Sequence, residues 1–158
     1  MAWLPPREYA KQLRKEAREL PRRIFDPWFR EIAFKILELA TAATPVDTGR
    51  ARNGWHVTIG SRSGADQQGG KSIEGVLQKG KRAIDKATLG DVIWIQNNVP
   101  YIRVLEFGLF VPPDPGPSKD RRKGRFGRIL VRGGYSVQAP TGMLGDAVQA
   151  VRARYGLR

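Results

Sequence analysis

The stretch DPWFREIAFKILELATAA, residues 26–43, carries the strongest apolar pattern in the chain. Asp26 can cap a helix here, Pro27 suits its first position, and Pro45 disfavours helical geometry in the residue before it. We therefore predict a helix over 26–43 that is either central to the core or sandwiched between the sheet and a neighbour. The apolar side chains that would cover more than half of its circumference are Trp28, Phe29, Ile32, Ala33, Ile36, Leu37, Leu39 and Ala40.

A thinner helical pattern precedes this stretch, over residues 7–20. Its apolar residues lie three and four positions apart and form one narrow stripe among charged residues. We expect Pro21 to end this helix. The sequence thus predicts a basic N-terminal helical arm, residues 1–25, ahead of a single domain formed by residues 26–158. The stripe consists of Tyr9, Leu13, Ala17 and Leu20.

Short apolar runs separated by turn residues follow the long helix. Residues 55–59 and 92–95 predict two strands, and the second is apolar enough to be covered on both faces. Residues 129–137 predict a hairpin, residues 73–89 a helix that Gly75 and Gly80 weaken, and Thr141 can cap a last helix. The fold class is α+β: a small antiparallel β-sheet packed by a long N-terminal helix and a C-terminal helix, with a long basic loop.

The chain is strongly basic, with a formal net charge of +13 over 158 residues. Such a charge implies contact with nucleic acid, an anionic surface or the acidic face of a partner protein. Residues 1–23 hold seven Lys or Arg, and a Pro-rich insertion, residues 109–132, holds seven more. The cations of the insertion are candidates for contact with a partner or with DNA: Lys119, Arg121, Arg122, Lys123, Arg125, Arg128 and Arg132.

No motif in the sequence indicates catalysis or a cofactor. Phosphate-binding loops, HExxH and GxSxG are absent, and the lack of Cys excludes disulfides and thiolate metal sites. The single histidine, His56, falls on the polar face of the first strand, where we expect it to be exposed or hydrogen-bonded. We therefore expect no enzymatic activity, no metal and no cofactor. No apolar run approaches the roughly 20 residues that cross a bilayer, and the N-terminus lacks a signal-peptide core.

Three segments stand out by their order along the chain. TPVDTGR, residues 44–50, precedes the strand that contains Trp55; Asp47 can accept hydrogen bonds from nearby backbone N–H groups, and Gly49 can take a positive φ. NNVPY, residues 97–101, leads into LEFG, residues 105–108. YSVQAPTGM, residues 135–143, opens the last helix.

In this order the three segments resemble the tail-component family of siphophages and related prophages, over roughly residues 26–155. Members of that family are variously labelled minor tail protein, tail completion protein or head–tail joining protein. The resemblance implies a structural virion protein that is not an enzyme, assembled in the cytoplasm of a bacterial host. It further implies a hexameric ring in the neck, around the DNA channel, between head-connector proteins and tail-terminator or tail-tube proteins.

The motifs provide candidate interface or structural residues. Glu106 lies in an otherwise apolar run, so that it either points to solvent by alternation or pairs with an arginine such as Arg50 or Arg52 across a subunit border. We expect the turn at 47–50 and the segment 101–108 to lie at such borders. The full set is Pro45, Asp47, Thr48, Gly49, Arg50, Tyr101, Glu106, Gly108, Gln138, Pro140 and Gly142.

The chain departs from the family pattern in its basic insertion and in its basic N-terminal helix. Either segment could reach an adjacent ring or make non-specific contact with passing DNA. Because a DNA channel should avoid many tight phosphate contacts, the sequence favours acidic faces of neighbouring rings for both segments. Two other functions remain open: a tail terminator that caps the tail tube, and a standalone basic nucleic-acid-binding protein, which would bind in a salt-sensitive manner.

Overall fold

The computed structural model of the protein describes residues 5–46, 48–64, 72–108 and 139–157. Within these ranges the predicted α+β fold class is confirmed: a long N-terminal helix and a C-terminal helix accompany a two-stranded antiparallel sheet. The predicted hairpin at 129–137 and the basic insertion lie outside the described residues. In chain order the elements are α1 (Pro6–Ala43), α2 (Arg50–Asn53), β1 (Trp55–Ile59), α3 (Ile73–Ile84), β2 (Ile93–Asn97), α4 (Ile102–Phe107) and α5 (Leu144–Tyr155).

Helix α1 is continuous over 38 residues and contains both Pro21 and Pro27. The predicted break at Pro21 and the predicted cap at Asp26 are therefore wrong. A proline inside a helix leaves the carbonyl four residues earlier without its usual donor. In α1 these carbonyls belong to Ala17 and Arg23, which are both exposed, so that water can supply the missing donor.

Asp26 instead ties α1 to the turn that follows α3. Its Oδ1 accepts a hydrogen bond from the backbone N–H of Leu89 at 2.6 Å, and its Oδ2 lies 3.9 Å from Arg30 Nη2. Arg30 Nε donates to the carbonyl of Ala87 at 2.7 Å. Before Asp26, every described side chain of α1 is exposed except that of Pro21, which is half-buried. Within the described residues, the hydrogen bonds of α1 with the rest of the fold therefore begin at Asp26.

Strands β1 and β2 pair antiparallel, with Trp55 opposite Asn97 and Ile59 opposite Ile93. Both predicted strands are confirmed, although β2 begins at Ile93 and extends to Asn97. Its residues are all half-buried, so that each of its faces is partly covered. Trp55 is 2% exposed and anchors the sheet to the core.

Helix α3 confirms the helix predicted over 73–89, although it ends at Ile84, and its packing accounts for one of the two glycines that weaken the local helical pattern. Gly80 is buried against α1, and a Cβ at this position would overlap with Leu37 Cδ2. Leu37 is fully buried, so it has no free space into which it could shift. The glycine therefore permits a close approach of the two helices, which outweighs the loss of helix propensity.

Helix α5 also packs against α1 and contributes Ala147 to the core. Its C-terminal turn is fixed by Tyr155, whose hydroxyl donates to Glu31 Oε1 at 2.7 Å and whose ring meets that of Trp28 edge-on at 6.4 Å. The predicted cap at Thr141 is wrong, because α5 begins at Leu144 and the Thr141 hydroxyl donates to the Asp146 carboxylate. The central buried cluster comprises Ala33, Leu37, Ala40, Trp55, Val76, Ile84 and Ala147.

Candidate functional site at the junction of the three motif segments

The first motif segment begins at a polar corner that ends α1. Thr44 is fully buried; its hydroxyl donates to the carbonyl of Ala40 at 2.6 Å and accepts the indole N–H of Trp55 at 2.7 Å. Arg52 donates to the carbonyl of Thr44 through Nε at 3.0 Å and through Nη2 at 2.7 Å. A cation on the last carbonyls of a helix is favoured by the helix dipole. Arg52 thus acts as the C-terminal cap of α1.

The turn after this corner has the predicted backbone. Gly49 has a φ of 80°, as expected, and its carbonyl accepts the N–H of Asn53 at 2.9 Å, which closes the single turn of α2. Thr48 Oγ1 accepts a long hydrogen bond from the N–H of Arg50, at 3.5 Å. Thr48 and Arg50 are exposed and Pro45 is half-buried. Asp47, the remaining predicted residue of this turn, lies outside the described residues.

Asn97 and Val99 connect the second motif segment to the first. Asn97 Nδ2 donates to the carbonyl of Ala51 in α2 at 2.6 Å. The backbone of Gly54 passes so close that a Cβ there would lie 2.7 Å from Asn97 Oδ1 and 2.8 Å from Val99 Cγ2. A side chain at this position would displace Asn97 or Val99, so the glycine lets the end of β2 lie directly against the end of α2.

Glu106 connects the second segment to the third. Its Oε2 accepts the backbone N–H groups of Met143 and Leu144, each at 2.9 Å, and its Oε1 accepts that of Gly145 at 2.8 Å. The first N–H groups of a helix have no partner inside the helix and attract negative charge. Glu106 therefore caps α5 from a segment 37 to 39 residues earlier in the chain.

Two glycines shape the backbone around this carboxylate. Gly142 has a φ of 104°, and a Cβ there would lie 2.8 Å from the carbonyl oxygen of Glu106. Gly108 ends α4 in the left-handed region, with a φ of 64°. Pro140 forms an isolated bridge with Gly142. Of the predicted residues, Glu106, Pro140 and Gly142 are thus brought together, Gly108 ends the helix that carries Glu106, and Gln138 lies outside the described residues.

This arrangement bears on both predictions for Glu106, exposure to solvent by alternation and pairing with an arginine across a subunit border. The run at 101–107 forms α4 rather than an alternating extended segment, and both carboxylate oxygens already accept backbone hydrogen bonds. Arg52, one of its two candidate partners, is bound to the end of α1. An ion pair across a subunit border would have to compete with these contacts. The sequence offered one signal for the observed role: Met143, the residue before α5, has no side-chain oxygen that could cap it.

Large apolar side chains remain exposed around the assembled junction. Val46 is 41% exposed, Tyr101 40% and Phe107 57%. All three belong to the first two motif segments. The polar groups described above in these segments form hydrogen bonds within the chain. The predicted partner-contacting cations of the insertion lie outside the described residues: Lys119, Arg121, Arg122, Lys123, Arg125, Arg128 and Arg132.

The described residues provide little for catalysis. They contain no group of three His, Asp or Glu side chains that could hold a metal ion. His56 is 8% exposed and hydrogen-bonded, which confirms that prediction: Gln96 Nε2 donates to its Nε2 at 3.0 Å, and its Nδ1 lies 3.0 Å from the carbonyl of Gly54. Among the described helices, none is long and apolar enough to span a membrane.

Within the described ranges, the ionisable groups with shifted pKa values lie away from the junction. Hydrogen bonds from the backbone and hydroxyl of Thr88 lower the pKa of Asp91, and backbone and Ser72 hydrogen bonds lower the pKa of Glu74. The hydrogen bond to Glu31 raises the pKa of Tyr155. The pKa shift of Asp91 belongs to a turn, that of Glu74 to the first turn of α3, and that of Tyr155 to the contact between α5 and α1. None of the three marks a reactive group.

Comparison with known proteins identifies the family. The family model described as "Bacteriophage HK97-gp10, putative tail-component" matches residues 7–108, that is, α1 through α4. The match includes the N-terminal helix, which the motif comparison had placed outside the family pattern, and it ends before the insertion and the third motif segment. No curated protein and no solved structure matches the chain. The chain belongs to the HK97-gp10-like family of bacteriophage tail components, and is a structural, virion-associated tail protein.

Proposed function

We propose that the protein is a ring-forming neck component that links the phage tail to the head around the DNA channel, and that it acts by assembly rather than by catalysis. The family supports a structural tail protein. The observation that carries the finer proposal is the exposure of Val46, Tyr101 and Phe107 at the junction. Exposed aromatic and aliphatic groups on a rigid polar framework are typical of a protein–protein interface.

The ring is tested by the native mass of the purified protein at low and at high salt. We expect a hexamer that the double variant Tyr101→Ser/Phe107→Ser converts to monomers, because the variant removes two exposed apolar groups from the proposed interface. A matched control, Tyr9→Ser/Leu13→Ser, removes comparable exposed groups from α1 and should leave the hexamer intact. A hexamer that survives in the Tyr101/Phe107 variant would show that the junction is not the interface.

The position in the virion is tested by particles assembled without the protein. A neck component joins two finished parts, so its loss should leave DNA-filled heads and separate tails of normal length. The alternative function, a tail terminator, predicts a different defect: without a cap, tail tubes should continue to polymerise and become overlong. Electron microscopy of the lysate distinguishes the two outcomes by tail length.

The other alternative is a standalone nucleic-acid-binding protein, which the net charge of +13 favours. This function predicts a monomer under all conditions, with normal particle assembly in its absence. Salt-sensitive DNA binding alone does not distinguish it from a neck component, because both carry the same basic segments. The assembly defect therefore decides between them.

A further inference from the structure

The N-terminal half of α1 displays a regular row of cations. Five cations lie three, four or one residue apart in the helix, and we call this set the basic ridge: Arg7, Lys11, Arg14, Lys15 and Arg18. At about 100° per residue they fall within an arc of about 100° on one side of the helix. Their Cα atoms span about 16 Å of helix axis, since each residue rises about 1.5 Å. All five residues are exposed.

The apolar residues of the same helix lie on the opposite side. Tyr9, Leu13, Leu20 and Ile24 are between 47% and 57% exposed and, with Ala17, form the apolar stripe. The centre of the stripe lies about 150° around the helix from the centre of the basic ridge. A protein that covers the stripe would therefore leave the ridge facing away from it.

The cations of the ridge are weakly engaged within the chain. Lys11 lies 3.6 Å from Glu8 and Lys15 lies 4.0 Å from Glu19, in pairs whose side chains are all more than half exposed. Exposed pairs of this kind contribute little and exchange readily. Among the described residues, Arg7, Arg14 and Arg18 have no carboxylate within ion-pair distance. The ridge is thus available to an external anion.

The composition of the chain gives a second copy no net negative segment to offer the ridge. Residues 1–25 contain seven Lys or Arg and three Glu, and residues 109–138 contain seven Lys or Arg and two Asp. The remaining residues contain 14 Lys or Arg and 10 Asp or Glu. Because each part is net positive, charge complementarity requires a different, acidic partner.

We propose that the basic ridge of α1 is a sequence-independent binding site for the phosphate backbone of duplex DNA. The ridge carries one cation per about 4 Å of its helix axis, and the duplex presents a dense row of anions, about one phosphate per 1.7 Å of its own axis. The ridge contains no apolar residue, whereas protein interfaces combine charges with an apolar centre. A helix on a membrane surface can also carry its cations opposite its apolar face, so binding to anionic vesicles is measured beside binding to DNA.

This inference goes beyond the neck function and does not depend on a ring. It also revises, for α1, the sequence-based expectation that both basic segments contact acidic proteins. A phosphate site of this kind need not obstruct passing DNA, because contacts without sequence specificity allow the duplex to slide. The insertion remains a separate candidate for partner contact.

The test compares two variants that each lose three positive charges, at positions separated by three and four residues in both cases. The ridge variant is Lys11→Gln/Arg14→Gln/Arg18→Gln. The control variant, Lys79→Gln/Arg82→Gln/Lys86→Gln, removes three exposed cations from α3 and the turn after it. Binding of the full-length protein to a fluorescent 20-base-pair duplex is measured by anisotropy at several salt concentrations. Circular dichroism verifies that both variants keep the helix content of the wild type, as the similar helix propensities of Gln, Lys and Arg predict.

We expect the ridge variant to lose affinity by about a hundredfold at about 0.1 M salt, and its salt dependence to become shallower by about 2 to 3 in logarithmic slope. The control variant should bind as the wild type does. Equal losses in the two variants, unchanged binding by the ridge variant, or no binding by the wild type at low salt would overturn the proposal. So would ridge-dependent binding to polyglutamate or to phosphatidylserine vesicles without ridge-dependent binding to DNA.

Discussion

At the scale of single residues, the side chain of Glu106 joins two helices that are far apart in the sequence. It lies one residue before the end of α4 and holds the start of α5, so one carboxylate fixes both borders of the segment 109–138. Three charge-assisted hydrogen bonds to backbone N–H groups are stronger than three neutral ones. The joint therefore determines where the basic insertion leaves the domain and where it returns.

Replacement of this carboxylate should destabilise the protein measurably. Glu106→Ala leaves the N–H groups of Met143, Leu144 and Gly145 without their acceptor, at a cost of about 1–3 kcal/mol in the free energy of unfolding. Glu106→Gln keeps one acceptor oxygen and should lose less. The free energy of unfolding is measured by urea titration monitored by circular dichroism.

The control for this experiment is Glu74→Ala. Glu74 also lies in the first turn of a helix, but it is fully exposed, and Ser72 already caps α3 by accepting the N–H of Gly75 at 3.2 Å. Its removal should have a much smaller effect than that of Glu106. Similar losses for Glu106→Ala and Glu74→Ala would mean that Glu106 contributes only a general interaction with the helix dipole.

At the scale of elements, α1 shows where local sequence signals and the folded structure differ. Asp26 and Pro27 are a sound start signal, and Pro21 a sound stop signal, when only neighbouring residues are considered. In the structure the Asp26 carboxylate is taken by Leu89, 63 residues away, and so it cannot cap a helix. The helix continues through both prolines because the carbonyls that they leave unpaired are exposed.

This continuity gives a prediction for the arm. Pro21→Ala restores a backbone donor to the carbonyl of Ala17 and removes a helix penalty of about 3 kcal/mol. Amide protons of residues 7–20 should therefore exchange more slowly with solvent, while the urea midpoint of the domain stays unchanged. Pro6→Ala is the control, since the first residue of a helix has no partner for its N–H. Unchanged exchange in the Pro21 variant would show that the proline does not limit the stability of the arm.

The elements that the sequence predicted correctly are those specified by their own periodicity. The apolar sets of α1 after residue 26, of β1 and of α5 are local patterns, and each element forms where its pattern lies. The joint at Glu106 and the close approach at Gly80 depend on residues far apart in the chain. A single sequence identified these positions as unusual but could not show which residue each one meets.

At the scale of the whole molecule, the chain divides by exposure at Asp26. The preceding part of α1 is exposed and basic, whereas the following part carries the core residues Ala33, Leu37 and Ala40. The border between an arm, residues 1–25, and a domain, residues 26–158, stays a prediction, and the change of exposure at Asp26 is the reason to test it. Such a border implies that the two parts contribute separately to folding and to binding.

A chain shortened to residues 26–158 should therefore still fold. We expect a cooperative urea transition with a midpoint close to that of the full chain, because the deleted residues bury little surface and stability follows buried apolar area. Asp26 and Pro27 would then stand at the start of the helix, where the local signals favour them. A chain shortened further, to residues 36–158, loses Arg30 and Ala33 and should not unfold cooperatively. Loss of the transition already at residue 26 would place the arm within the folding unit, and would also mean that its basic ridge cannot be treated as an independent surface.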